Sequence, residues 1–341
     1  MTALTTAGAP APPVRRPSAT RGLVRTVLRL HRPALYAGAA LFVVLTALLL
    51  WLHGPAMDAA ATAWRRYDHC RQAACVYDQD AILTYKSFSQ YATVAVTFVP
   101  FLVAAWAGAS LVGRELETGT AQLSWTQSLS PARWLMVKLA VPAVLVTTGT
   151  SVLVLLHQRT WRRSQGRIDT AKNWTDVLVL HANGPTTVAF ALFGLAVGAL
   201  TGLALRRSLA ALALSVFCTL AVRVGTALAT PHLWPTVRTV SSLHHNGPTG
   251  LGLTVDEGLL TSTGGRLANP YCGSDHLLQC RDLYARLHVV GFYNDSHPYS
   301  HYWPLQWVAT GIVLALTALA VLTSFRLLTR QVGAAPRKGR R

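Results

Sequence analysis

Six apolar runs dominate this chain, each about as long as a helix must be to cross a hydrocarbon core of roughly 30 Å. They are residues 34–52, 91–112, 139–156, 186–205, 209–230 and 305–325. Five contain no Asp, Glu, Lys, Arg or His, and the fifth in order contains one charge, Arg223. With 51% hydrophobic and 13% charged residues among 341, the chain lacks the polar surface that a water-soluble protein of this length needs. The pattern predicts an all-α membrane protein with six transmembrane helices, an interfacial N-terminal helix and a large extracytoplasmic loop before the last helix.

The connecting segments follow. Residues 1–17, rich in Ala, Pro and Thr without helical periodicity, read as a disordered cytoplasmic lead. No cleavable signal peptide is visible, because the first apolar run starts late and is long. Over 18–32, Arg21, Arg25, Arg29 and Arg32 recur on one helical face and Val24, Val27 and Leu28 on another. That is an interfacial amphipathic helix suited to anionic lipid, with Pro33 marking the turn into the first span. The six-helix transmembrane body is 33–330, its outer loops are 53–90, 157–185 and 231–304, and 331–341 is a basic cytoplasmic tail. Trp161 and Trp174 in the second loop suit an aromatic belt at the head groups. The third loop is long enough for a partly ordered subdomain.

Cations orient the chain. With both termini inside, the inner segments hold 17 Lys/Arg against two acids, and the outer ones hold 13 against 11. The positive-inside rule then favours cytoplasmic N- and C-termini, although Arg159, Arg162, Arg163, Arg167 and Lys172 lie in an outer loop. The net charge of +18 sits in short stretches flanking spans, not on a folded basic face, so no nucleic-acid partner is expected. Four cysteines fall in outer loops: Cys70, Cys75, Cys272 and Cys280. Their spacing favours Cys70–Cys75 and Cys272–Cys280 disulfides in an oxidising compartment, and it matches no zinc pattern, so no metal is expected.

Within the spans, Gly194, Gly198 and Gly202 line one stripe of the fourth, a helix-packing pattern that points first to another helix of the same chain and second to another protomer. Arg223 has two readings: a functional charge facing the bundle interior, or a side chain snorkelling to the nearby outer interface. His53, His157, His181, His232 and His301 fall near outer helix ends, where interfacial packing explains them better than a proton relay does. The chain holds no phosphate-binding Gly-x-x-x-x-Gly-Lys-Ser/Thr loop, no Gly-x-Ser-x-Gly elbow and no His-Glu-x-x-His. No catalytic constellation converges, and no Asp or Glu lies within a span. An energy source would have to come from another polypeptide.

Between the second and third spans lies a polar, turn-prone island, residues 113–138. Ala107 to Thr120, reading Ala-Gly-Ala-Ser-Leu-Val-Gly-Arg-Glu-Leu-Glu-Thr-Gly-Thr, then Gln127-Ser128-Leu129-Ser130-Pro131 and Trp134 to Lys138, resemble the second-to-third-helix segment of the ABC transporter type 2 permeases. Arg206-Arg207 and Trp303-Pro304-Leu305-Gln306 resemble the large actinobacterial branch of that family. The resemblance implies the membrane subunit of an ABC exporter in the plasma membrane. It would work as a homodimer or heterodimer of permeases with a separate ABC ATPase subunit, which would carry ATP and Mg, and it would need no cofactor of its own. It also implies that the segment matching Gly113 to Trp134 is the cytoplasmic coupling element seated on the ATPase. Arg114, Glu115, Glu117, Gly119, Thr120, Arg133 and Lys138 are the candidate coupling residues. Glu115 and Glu117 would pair with ATPase cations, Arg114, Arg133 and Lys138 would reach its acids or lipid phosphates, and Gly119 would permit a tight turn. The alternative function is a membrane scaffold or signal transmitter, driven by the same partner without moving a substrate.

Overall fold

The computed structural model describes residues 19–70, 76–126, 130–169, 172–243, 247–270 and 277–333. The expected leader at 1–17, residues 334–341 of the basic tail, Cys75 and Cys272 lie outside the described residues. Six helices are long and apolar enough to cross a membrane: Arg32–Asp68, Gln79–Glu117, Pro131–Ser164, Pro185–Leu205, Ser208–His232 and Tyr299–Val332. Their outward faces carry Val43, Val44, Leu145, Phe217, Leu228 and Leu319, all exposed, as lipid-facing surfaces should be.

Helix α1 (Ala19–Leu30) buries Leu23 and Val27 against Val137 and Val141 and leaves Arg25 and Arg29 outward. The first span starts as α2 (Arg32–Trp51), with proline in its first turn, where a missing N–H costs nothing. It does not end at residue 52. A wide π-helical turn, Leu52–Ala56, absorbs Pro55, and the helix continues as α3 (Met57–Asp68). The second span, α4 (Gln79–Trp106), begins where the Asp78 side chain caps Ala81 N–H at 3.0 Å. Within the expected loop at 53–90, residues 53–68 and 79–90 are therefore helical extensions of the spans; α3 adds about 18 Å at 1.5 Å per residue. Charge-free windows mark the hydrocarbon crossing, but a helix needs no apolar window once it is in water. Met57, Ala60 and Ala61 are fully buried in a cluster with Tyr85, Leu153 and Ile168, because alanines let α3 approach α4 closely.

After a second π-helical turn, Ala107–Gly113, come the short helices α5 (Arg114–Glu117) and α6 (Thr120–Thr126). The third span, α7 (Pro131–Ser164), is capped by Ser130 and runs past the expected end at 156. Arg163 and Arg167 each reach Asp58 at 3.1 Å, clipping its end to α3. The expected loop at 157–185 also holds α8 (Val177–Ala182), capped by Asp176 and buried from Val179 to Asn183. Trp161 and Trp174 are not a head-group belt. Both are buried against Tyr302, with Trp161 stacked on it at 6.5 Å, and the Trp161 indole N–H donates to the Lys172 carbonyl at 2.8 Å.

The fourth span, α9 (Pro185–Leu205), is enclosed over most of its length, whereas the others keep large open faces. Its glycine stripe packs within the chain on the second span. A Cβ on Gly198 would lie 2.6 Å from the Ala107 Cβ and 2.8 Å from the Ala104 carbonyl, and one on Gly202 would lie 3.0 Å from Gly113 N. The fifth span, α10 (Ser208–Ala229), lies on the other side of the same π-helical turn, where Gly108 faces Ala211 and Ser215.

The fold is the expected helical membrane class, and the loop at 231–304, expected as a partly ordered subdomain, adds a small sheet to it. There β1 (Val237–Ser242), β2 (Gly252–Thr261), β3 (Arg266–Leu267) and β4 (Val289–Pro298) form an antiparallel sheet in the order β1-β4-β2-β3. Phe292 pairs with Leu259 across β4 and β2, and Tyr284 of α11 (Leu277–Arg286) meets the Phe292 ring edge-on at 6.0 Å. Arg238 holds Asp295 through two hydrogen bonds, at 2.7 and 3.0 Å. His297 reaches the Pro231 carbonyl at 2.8 Å, fixing the sheet to the end of the fifth span, and the chain then enters α12 (Tyr302–Gly333).

Candidate functional site

The described residues of the island, 113–126 and 130–138, form a knot at one end of the second, third and fifth spans. Gly119, with φ +74°, breaks α5 from α6 in a conformation that a residue with a Cβ adopts at a cost. Thr118 Oγ1 closes the end of α5 on the Arg114 carbonyl at 2.9 Å, and Thr120 Oγ1 reaches the Glu115 carbonyl at 3.3 Å. Helix α6 buries Ala121 and sets the Trp125 ring edge-on to Trp134 of α7 at 5.6 Å. That seats α6 on the start of the third span.

The expected roles of the charges change here. Lys138 is buried; its Nζ donates to the Leu111 carbonyl at 2.8 Å, forms an ion pair with Glu115, and lies 5.0 Å from the centre of the Trp134 ring. The two side chains are 3% and 12% exposed, so neither reaches outward to a second protein or a lipid. Glu117 is exposed, but its carboxylate is engaged along the surface, accepting from Ser208 N–H at 3.0 Å at the N-terminus of α10, where a negative charge complements the helix dipole. The two acids thus tie the end of the second span to the third and fifth. Arg114 and Arg133 are exposed, and neither has an ion-pair partner among the described residues. Leu123 on α6 is 64% exposed and Met136 on α7 is 58% exposed. The exposed surface of the island therefore combines two unpaired arginines and apolar side chains with the one carboxylate of Glu117, which Ser208 already engages. Leu123 was not singled out from sequence, because one leucine in a seven-residue helix has no periodicity to reveal it.

At the opposite ends of the spans, sequence reasoning also missed a buried polar network. His157 bridges Thr93 Oγ1 at 2.9 Å and Asn183 Oδ1 at 2.6 Å, tying the third span to the second and to the turn before α9. Tyr302 donates to the Asn183 carbonyl at 2.9 Å, and Thr186 donates to Gln306 Oε1 at 2.6 Å. His157 and His181 are thus not interfacial but enclosed. The Asn183-Gly184-Pro185 turn was the available hint, since it brings α8 back into the bundle. Arg223 is 9% exposed, with its guanidinium 5.2 Å from the centre of the Phe190 ring of α9. It faces the protein and does not snorkel. Cys70 and Cys280 are disulfide-bonded, Cys218 is the free cysteine among the described residues, and Cys75 and Cys272 fall outside them. No group of three or more potential metal ligands occurs among the described residues.

No curated protein and no solved structure matches the chain. A family model described as ABC-2 membrane transporter related matches residues 39–230, more than half of the chain, and spans both the island and the glycine-packed core. Six apolar helices, a knot that joins three of them and this match lead to one conclusion: the chain is a multi-pass membrane protein that belongs to the ABC-2 membrane transporter related family.

Proposed function

We propose that the chain is the permease subunit of an ABC exporter in the plasma membrane, with ATP and Mg bound by a separate ATPase subunit and a second permease protomer completing the unit. The observation that carries this reading is the knot. A connector welded to three spans through Glu115, Lys138 and Glu117 transmits force; a slack loop does not. Its outward face, with Arg114, Arg133 and Leu123, suits an ATPase cleft that offers acids around an apolar socket. The cation balance supports placing this face and both termini in the cytoplasm, and Arg25 and Arg29 of α1 then lie where anionic lipid would hold them. Cys70–Cys75 and Cys272–Cys280 are the proposed pairings on the other side.

The test is copurification of the full chain with a stand-alone ATPase. R114E/R133E and L123D should each lower recovery of the ATPase at least tenfold while the permease still inserts in the membrane. Undiminished recovery in both variants would refute the docking face. The folded sheet at 237–298 keeps a second reading in play, in which the same motion acts on an outer partner without moving a substrate. ATP-dependent efflux from vesicles holding only permease and ATPase would exclude it.

A further inference from the structure

Beside the His157 bridge, at the end of the bundle opposite the island, the second and third spans leave a cleft between them. Tyr85, Ser89 and Thr93 of α4 line one side, and His157, Thr160 and Ser164 of α7 line the other. These residues stand at the ends of the two apolar runs and on the helical extensions beyond them, where the spans leave hydrocarbon. A polar lining is affordable at that level, and it has to be satisfied.

The hydrogen bonds along the lining leave it rich in acceptors. Ser89 Oγ donates to the Lys86 carbonyl at 2.9 Å, and Thr93 Oγ1 donates to the Ser89 carbonyl at 2.8 Å. Thr160 Oγ1 donates to the Leu156 carbonyl at 2.9 Å, and Ser164 Oγ donates to the Trp161 carbonyl at 2.7 Å. A hydroxyl has one hydrogen and two lone pairs. All four hydrogens are thus spent within their own helices, and what faces the cleft is oxygen lone pairs. His157 Nε2 lies 2.9 Å from Thr93 Oγ1, and Tyr85 engages Ser164. Ser89 and Thr160 accept from no side chain among the described residues.

Charge and size select the occupant. No carboxylate lines the cleft and its one charged residue, Lys172, is a cation, so a metal ion would find no balancing charge. Acceptor oxygens repel an anion. A small neutral donor remains. The volume open to the centre of a water molecule is about 30 Å³, and one water needs roughly 10–15 Å³ by that measure, so two fit.

We propose that the cleft binds two water molecules, which donate across the seam and join Ser89 and Thr93 of the second span to Thr160 and Ser164 of the third. Such bridges are enthalpically nearly as good as direct hydrogen bonds, and they bring water to the enclosed His157. Neither an ATPase nor a transported substrate is required.

X-ray hydroxyl-radical footprinting of the full chain in phosphatidylcholine nanodiscs, read by mass spectrometry, tests this. Radicals formed from a bound water oxidise the side chains it touches. Tyr85 should therefore be oxidised at least tenfold faster than Tyr302, which is also buried but packed among aromatic rings. After rapid mixing with oxygen-18 water, the heavy label should reach Tyr85 later than the exposed Tyr67, because held water exchanges more slowly than bulk. T160V keeps the shape and removes one acceptor, so it should lower the Tyr85 rate at least threefold and shorten the delay, whereas T160S should keep both. A Tyr85 rate no higher than that of Tyr302 would mean a dry cleft and overturn the proposal. Fast oxidation without a delay, or a rate indifferent to T160V, would overturn it equally, since either marks bulk solvent rather than bound water. Should T160V fail to insert, the rate and the delay in the parent decide the matter.

Discussion

Substituting Lys138 by methionine tests whether the knot is a structural weld. The side chain is nearly isosteric, so packing against Trp134 and Leu135 survives and the change is mainly one of charge and hydrogen bonding. What remains is the Glu115 carboxylate, 12% exposed, and the Leu111 carbonyl oxygen, a charged and a dipolar acceptor that have both lost the same donor. Removing one partner of a buried ion pair costs about 3–5 kcal/mol, because the other charge stays desolvated. Glu115 keeps a little contact with solvent, which places the expected loss at the lower end, about 3 kcal/mol, or roughly a hundredfold in the unfolding equilibrium.

The same logic makes E115Q/K138M milder than K138M alone. With both charges gone, the residual cost falls to about 1 kcal/mol, so the double variant should be about 2 kcal/mol more stable than K138M alone. Reversible unfolding in mixed micelles of rising dodecyl sulfate content, followed by the fluorescence of Trp125 and Trp134, measures all four corners of the cycle. Strict additivity, or a K138M protein within about 0.5 kcal/mol of the parent, would refute the reasoning and return Glu115 to the surface role expected from sequence.

Further outcomes follow from the packing and the topology. G198A should lose about 1–3 kcal/mol of stability in the same assay, because the added methyl meets the backbone of the second span, which cannot give way as a flexible side chain would. G225A, with nothing within 4 Å, should be neutral or slightly stabilising, and equal behaviour of the two would refute the stripe's role. H157L should cost about 1–3 kcal/mol by leaving Thr93 and Asn183 without their buried partner, and a neutral result would show that the network is not intact. In intact cells, an impermeant thiol reagent should label V76C, at a 98% exposed position, but should leave L123C untouched until the membrane is opened. Labelling of L123C from outside would invert the proposed orientation.

The number and order of the spans were legible because hydrocarbon admits only long uncharged helices, and the fourth and fifth spans, whose ends coincide with the ends of their apolar runs, lie within a residue or two of the expected bounds. Spans that project into water were cut short, since Asp58, Arg65 and Arg66 end an apolar window without ending a helix. The glycine stripe announced a close contact but not which helix makes it; that depended on the widened turn at Ala107–Gly113, which has no periodic signature. At the island, residue types were read correctly as charged and turn-forming, but not their direction. Glu115 and Lys138 stand 23 positions apart, and only the antiparallel return of the third span turns them towards each other. The sheet was missed for a different reason: β4 is buried along nearly its whole length and mixes Phe, Tyr, Asn, Asp and His, so the period-two alternation that marks a half-exposed strand is absent.

The direction of those charges bears on how force would travel. Had Glu115 and Glu117 faced a partner, a push on the island would have met a loop free to flex before any span moved. Because both are bonded to other spans, Glu115 in the interior and Glu117 at the surface, a load on α6 passes through the Trp125–Trp134 contact to the third span, through Glu115–Lys138 to the second and third together, and through Glu117 to the first turn of the fifth. At the far end, the His157 bridge joins the second and third spans again, so these two are pinned at both ends. The fifth is joined to the second at the island end and by Ser215 to the Ala104 carbonyl at 3.0 Å, while its sheet end contacts α8 through Thr230 and His181. A displacement imposed at the island is therefore carried by the second and third spans as a pair, whereas the far end of the fifth is held to the sheet, through His297 and the Pro231 carbonyl, and to α8.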